Sequence, residues 1–258
     1  PIYRMSKTMI PDLWCADLMV CVDPCLPPRA CVAGRPAYPL ANEIWEAATG
    51  TLRLAGAANE VLPFQLVLEA GAGMLQGVAL EGLTDGQLEV GQNLALPMAG
   101  RFIDDAVLPL HDRPAGAVKV RPAIDRPPVQ GRGRQAFTVE LSIPRGARAG
   151  RREATLTVKA GGCKHRVHVD LQVYDFELPD GNRLAADINN YSFVPYPGVP
   201  EADLGSDRYI AVQNRYFQMA RRHRCGFHLL PYRQSGRLEP GYVPTTVGWG
   251  RNRRIVDW

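Results

Sequence analysis

Leu178-Pro179-Asp180-Gly181 divides the chain into two halves with different hydrophobic periods. The residues just before it alternate. In Lys164-His165-Arg166-Val167-His168-Val169-Asp170-Leu171-Gln172-Val173-Tyr174, Val167, Val169, Leu171 and Val173 fall on one face. Period two is the signature of a strand with one buried side. Gln135-Ala136-Phe137-Thr138-Val139-Glu140-Leu141-Ser142-Ile143 repeats it, and so does Glu153-Ala154-Thr155-Leu156-Thr157-Val158-Lys159. Turns at 144–150 and Gly161-Gly162 join these three runs, so a meander is expected.

Upstream, Thr51–Leu54, Val61–Glu69 and Gln87–Val90 read as further strands, Asn59-Glu60 as a turn, and 101–110 as room for another strand. Strands with one apolar face must pack in pairs of sheets to bury it. The expected fold is therefore mainly β, a two-sheet antiparallel β-sandwich over residues 37–180. Residues 1–36 show no clear period. Pro24, Pro27, Pro28 and Pro36 break any helix there, and an irregular Cys-rich segment is expected.

Past residue 180 the order becomes strand (184–191), helix (207–224), strand (226–232). Tyr209, Val212, Tyr216, Phe217, Met219 and Ala220 approximate helical spacing, and Ser206 or Asp207 offers an N-cap. A helical crossover between strands implies parallel pairing. Residues 181–258 thus read as the start of a (β/α)8 barrel. A whole barrel takes roughly 250 residues, so the sequence is expected to hold only its first elements. Two parallel strands and one helix cannot cover their own apolar faces. The remainder of the barrel, or another chain, is expected over residues 184–258.

Composition narrows the function. The hydrophobic fraction of 46% and the mean hydropathy of -0.17 suit a globular chain. No apolar run reaches the roughly 18–20 residues of a membrane helix. The net charge of +4 is small, and Lys7, Lys119, Lys159 and Lys164 are the only lysines. The run Arg145, Arg148, Arg151, Arg152 has no interleaved aromatics and reads as a solvated face, so no nucleic-acid partner is expected. No dinucleotide or Walker phosphate motif occurs, and no cofactor is expected. Localisation is left open, with a lean towards an extracellular or periplasmic setting.

Cys15, Cys21, Cys25 and Cys31 are spaced C-x5-C-x3-C-x5-C, and Cys163 and Cys225 stand apart. The cluster is compatible with two disulfides, with free thiols, or with a metal site, although it lacks C-x2-C pairs.

Several short motifs resemble one family. Asn59-Glu60-Val61-Leu62-Pro63-Phe64-Gln65-Leu66-Val67-Leu68, the hairpin from Leu141-Ser142-Ile143-Pro144 to Val158, the exit Tyr174-Asp175-Phe176-Glu177-Leu178-Pro179, and Tyr216, Ala220, His223 and Arg224 on the helix are similar to glycoside hydrolase family 123 and its uncharacterised glycoside-hydrolase-like relatives. The resemblance covers about residues 40–258. It implies a sandwich, a (β/α)8 barrel and a C-terminal β domain, with an adjacent Asp-Glu pair on a middle barrel strand. In such enzymes the substrate's acetamido group is the nucleophile, the Asp orients it and the Glu is the acid. No Asp-Glu dipeptide occurs here. Asp104-Asp105 falls within the expected sandwich and reads as an exposed loop, so no catalytic residue is assigned.

The expected role is the N-terminal portion of a glycoside-hydrolase-like protein acting on carbohydrate, N-acetylhexosaminide being the implied class. This chain alone is expected to be inactive. A non-catalytic β-sandwich module, binding carbohydrate or protein or serving as a structural part of an assembly, is the alternative. Polar residues at the carboxyl ends of barrel strands face substrate. Candidate sugar-binding residues are therefore Asp187, Asn189 and Tyr191 on the first barrel strand, and His228 on the second. Tyr232, Gln234 and Trp249 follow that strand. Asn189-Asn190 also fits a simple turn cap, and Trp249 a loop anchor.

Overall fold

The computed structural model describes residues 11–98, 101–110, 117–119, 133–181, 186–191, 206–230, 245–247 and 254–257. The chain divides into two compact units, Pro1–Leu178 and Pro179–Trp258. The first is mainly β, built from two sheets.

The five-stranded sheet holds β1 (Leu13–Asp17), β4 (Val61–Glu69), β9 (Arg134–Ser142), β6 (Gln87–Met98) and β7 (Arg101–Pro109), in that order and antiparallel throughout. The six-stranded sheet holds β2 (Trp45–Glu46), β3 (Thr51–Ala58), β11 (Cys163–Glu177), β10 (Gly150–Ala160), β5 (Leu75–Glu81) and β8 (Ala117–Lys119). Leu62, Phe64, Leu66, Val139 and Leu141 from the first sheet share one core with Leu52, Leu156, Val158, Val167, Val169 and Leu171 from the second. At about 25 cal/mol per Å2 of apolar surface, this burial is the main stabilising term of the unit.

Three expectations are corrected. The sandwich is not wholly antiparallel, because β3 pairs with β11 in parallel, with Leu52 against Val169 and Leu54 against Leu171. The last three strands are not a meander. β9 lies in the five-stranded sheet, and the turn after it carries the chain to the other sheet, where β10 and β11 form a hairpin. An alternating run shows that one face is buried, but not which strand lies beside it. The Gly161-Gly162 turn has both residues at positive φ, 54° and 82°, between Ala160 and Cys163. This is the geometry that joins two twisted strands in two residues. A Cβ on Gly161 would strike the backbone of Ala72 and Gly73, which leaves no room for a side chain.

The third correction concerns residues 1–36. Leu13–Asp17 is a regular strand at the edge of the five-stranded sheet, with Trp14, Cys15 and Ala16 fully buried. The chain then folds back over the outer face of that sheet. The Gln65 amide donates to the carbonyls of Asp17, Leu18 and Val20 at 2.9, 3.2 and 2.6 Å. The buried Asp23 carboxylate accepts from the backbone N–H of Cys25 and Leu26, closing a turn within the proline-rich stretch. Arg134 holds this loop. Its guanidinium donates to Glu69 Oε1 at 3.0 Å and to the carbonyls of Asp23 and Leu26 at 2.6 and 2.7 Å. The Trp14 indole N–H donates to the same Glu69 oxygen at 2.9 Å.

All six cysteines are unpaired. Cys15 and Cys31 are buried, whereas Cys21 and Cys163 are exposed. Burial pushes the Cys15 thiol far above its ordinary value and also raises Cys31, against the opposing charge of Arg134.

In the second unit, β12 (Asp187–Tyr191), α1 (Asp207–Arg222) and β13 (Gly226–Leu230) form the expected strand–helix–strand, with β12 and β13 parallel. The expected long loop after residue 232 contains the hairpin of β14 (Thr245–Val247) and β15 (Arg254–Asp257).

Two outcomes follow. Arg134 has 1% of its side chain exposed and Glu69 12%. Glu69→Ala strands the guanidinium and should cost about 3–5 kcal/mol in urea unfolding, whereas the double variant Glu69→Leu/Arg134→Met loses far less. For the thiols, the folded pKa lies above the unfolded one, so their contribution is full below about pH 8.5 and is lost as pH rises beyond it. The unfolding midpoint should therefore fall between about pH 8 and 10. Native alkylation should label Cys21 and Cys163 but leave Cys15 and Cys31 untouched until the chain unfolds.

Candidate functional site

The expected sugar-binding residues lie on the second unit. The sequence builds α1 from standard end signals. Ser206 Oγ accepts from the Tyr209 N–H at 3.2 Å, Asp207 occupies the first turn, and Arg221 and Arg222 the last. His223 closes the helix through its own backbone N–H, bonded to the carbonyls of Met219 and Arg221, and Arg224 turns the chain at φ 56°. One face of the helix packs on β13. Tyr209 is buried beside Val212, Tyr216 and Phe227, and Phe217 meets the Phe227 ring edge-on at 5.1 Å.

The parallel register sets Asp187 against Gly226, Asn189 against His228, and Tyr191 against Leu230. Asn189 and His228 are thus brought together as cross-strand partners. Asp187, the first residue of β12, is registered against Gly226. Tyr191 ends β12 at the edge where β13 also ends. Tyr232, Gln234 and Trp249 lie outside the described residues. Asp104-Asp105, expected in a loop, falls within β7, with Asp104 against Ala95.

A second constellation escaped the sequence reading. It occupies the outer face of the six-stranded sheet, where Arg53 and Ala55 (β3), Arg151 (β10), and Asp170 and Gln172 (β11) line an open groove beside Glu43. Arg151 grips Asp170 in a two-pronged contact, Nε to Oδ1 at 2.7 Å and Nη2 to Oδ2 at 2.9 Å. That contact raises the Arg151 pKa further. Glu43 is held by Arg35, which also lies 4.6 Å over the Tyr38 ring. Glu43's own backbone N–H, and after it the side-chain hydrogen bond from Arg35, lowers the Glu43 carboxyl pKa. Further along β11, Tyr174 and Phe176 are 46% and 59% exposed, with ring planes parallel within 1° and centroids 6.0 Å apart.

The signal for this face was present as the other half of the alternation: where Val169, Leu171 and Val173 point inward, Asp170, Gln172 and Tyr174 point out. The arginine run is largely paired. Arg145 bonds Glu177 at 2.9 Å, and Arg152 donates to the Arg148 carbonyl. Among the described residues, no group of three or more His, Cys, Asp or Glu side chains is placed to hold a metal ion. The helices of the described residues include none long and apolar enough to cross a membrane.

No family model and no curated protein matches the chain. Among solved structures, a family 123 glycoside hydrolase from Clostridium perfringens, studied for glycolipid glycan hydrolysis, is similar at 10% identity and a TM-score of 0.48. The match covers 83% of this chain and 36% of that one. The third ScaB cohesin of R. flavefaciens, in complex with a group 1 dockerin, is similar at 11% identity and a TM-score of 0.22, over 48% of this chain and 91% of that one. The cellulose-active LPMO CelS2 in complex with copper is similar at 13% identity and a TM-score of 0.23, over 55% of this chain and 61% of that one. The chain thus spans about a third of the length of the solved glycoside hydrolase.

Proposed function

We propose that residues 1–258 are the N-terminal portion of a glycoside-hydrolase-like protein acting on carbohydrate, N-acetylhexosaminides being the implied substrate class. In this reading the second unit opens a (β/α)8 barrel. The observation that carries it is the parallel β12–α1–β13 unit, in which Asn189 is registered against His228 at the middle of both strands and Tyr191 stands at their carboxyl end. Loops and residues at that end build the site in barrel enzymes.

The chemistry fits a sugar. Asn189 offers an amide donor and a carbonyl acceptor, His228 an imidazole, and Asp187 two acceptor oxygens, all suited to vicinal hydroxyls. Tyr191 offers an aromatic face for stacking. These groups bind and orient. The adjacent carboxylates that would hold an acetamido group and protonate the leaving oxygen are assigned outside residues 1–258, which contain no Asp-Glu dipeptide.

The parent reading frame and the intact mass of the native protein test this directly. The expected result is a chain that continues beyond Trp258 and carries adjacent Asp-Glu on a later barrel strand. A native chain ending at Trp258, or hydrolysis of 4-nitrophenyl N-acetyl-β-galactosaminide by residues 1–258 alone, overturns the reading. In the longer protein, Asn189→Ala should raise KM for that substrate about tenfold, the loss of one or two sugar hydrogen bonds.

A further inference from the structure

The outer face of the six-stranded sheet carries more than solvation requires. An antiparallel or mixed sheet needs only polar residues on its wet side. β11 instead presents Asp170 and Gln172 followed by two exposed, mutually parallel aromatic rings, Tyr174 and Phe176.

The groove beside them is electrically balanced, Arg53 and Arg151 against Glu43 and Asp170. Phosphate or a polyanion is bound by clustered positive charge, whereas the groove's lining holds as many carboxylates as guanidinium groups. Its polar groups are also fixed before any ligand arrives. Arg151 and Asp170 lock each other in a fork, and Gln172 is anchored by its amide on the Val173 carbonyl at 3.0 Å, leaving its oxygen as an acceptor. Arg53 makes no ion pair with another described residue, so its donors are available. A ligand matching this surface presents hydroxyls that both donate and accept along one edge and a flat C–H face along another. That description is a pyranose. The strip from Asp170 to Phe176 runs on the order of 20 Å along an extended strand, which suits an oligosaccharide better than a single ring.

We propose that this groove and its aromatic pair form a binding site for a neutral oligosaccharide, carried wholly by the sandwich. The site goes beyond the barrel-strand reading and does not need it: a sandwich that binds glycan serves a catalytic chain or a non-catalytic module equally well.

The test is an array of neutral and sulfated oligosaccharides probed with the full 258-residue chain, followed by titration of the strongest neutral binder. Binding to neutral glycans is expected. Gln172→Ala and Tyr174→Ala should each weaken it about tenfold, while Met19→Ala, at an exposed position outside both candidate sites, leaves it unchanged. Both positions are exposed, so the unfolding midpoint of each variant should match that of the parent chain. The proposal is overturned if no neutral glycan binds, or if only sulfated glycans bind with steep salt dependence. It also fails if affinity is lost with Asn189→Ala and kept with Tyr174→Ala, a result that would move the sugar to the β12–β13 strands.

Discussion

A single carboxylate, that of Glu69, ties together the parts of the sandwich least able to order themselves. One oxygen accepts from Arg134 on the neighbouring strand and from Trp14 on the edge strand β1. Arg134 then reaches past it to the carbonyls of Asp23 and Leu26. Burying a guanidinium costs several kcal/mol unless its donors are met. Here Nε and Nη1 are met by one charge and two backbone oxygens, while the buried Nη2 has no partner among the described residues. The N-terminal segment, too proline-rich for regular structure over much of its length, is held by this contact and by the Gln65 amide.

That constraint decides which faces of the sandwich are free. The outer face of the five-stranded sheet is covered where Gln65, Val67, Thr138 and Arg134 lie beneath the N-terminal segment, and all four are buried. Thr138 Oγ1 and Asn93 extend the buried polar network at 2.8 Å. Among the described residues of the first unit, no such segment covers β3, β10 and β11 of the six-stranded sheet. The groove and the Tyr174–Phe176 pair lie on this second sheet.

Much of this was legible. The strands at 51–58, 61–69, 134–142, 150–160 and 163–177 follow from period-two burial, and α1 follows from its N-cap and apolar spacing. Their partners did not follow, because alternation encodes a face and not a neighbour; hence the parallel β3–β11 pair and the sheet change after β9 were missed. β1 was hidden by the prolines that follow it, and β5 (Leu75–Glu81) by the glycines around it. Arg134 was unreadable for a subtler reason. It sits in Gly131-Arg132-Gly133-Arg134, whose local chemistry says solvated loop, and only a cross-strand glutamate 65 positions away makes it a core residue. Of the candidate site, the parallel pairing of the strands that carry Asn189 and His228 was implied by the crossover but their register was not, while the sandwich groove lay in the polar half of strands whose apolar half drew attention.

The two candidate sites differ in what holds them. The sandwich groove rests on strands whose inner faces belong to one continuous core, and its charges are already cross-linked, so its geometry exists before a ligand binds. Preorganisation of that kind converts contacts into affinity instead of ordering cost. Among the described residues of the second unit, only Tyr209 and Ala220 are fully buried. Ile210, Phe217 and Met219 on α1 are exposed. The described residues of that unit thus form a smaller packed core than those of the sandwich. If the chain binds sugar by itself, the physics favours the sandwich as the place where it does so.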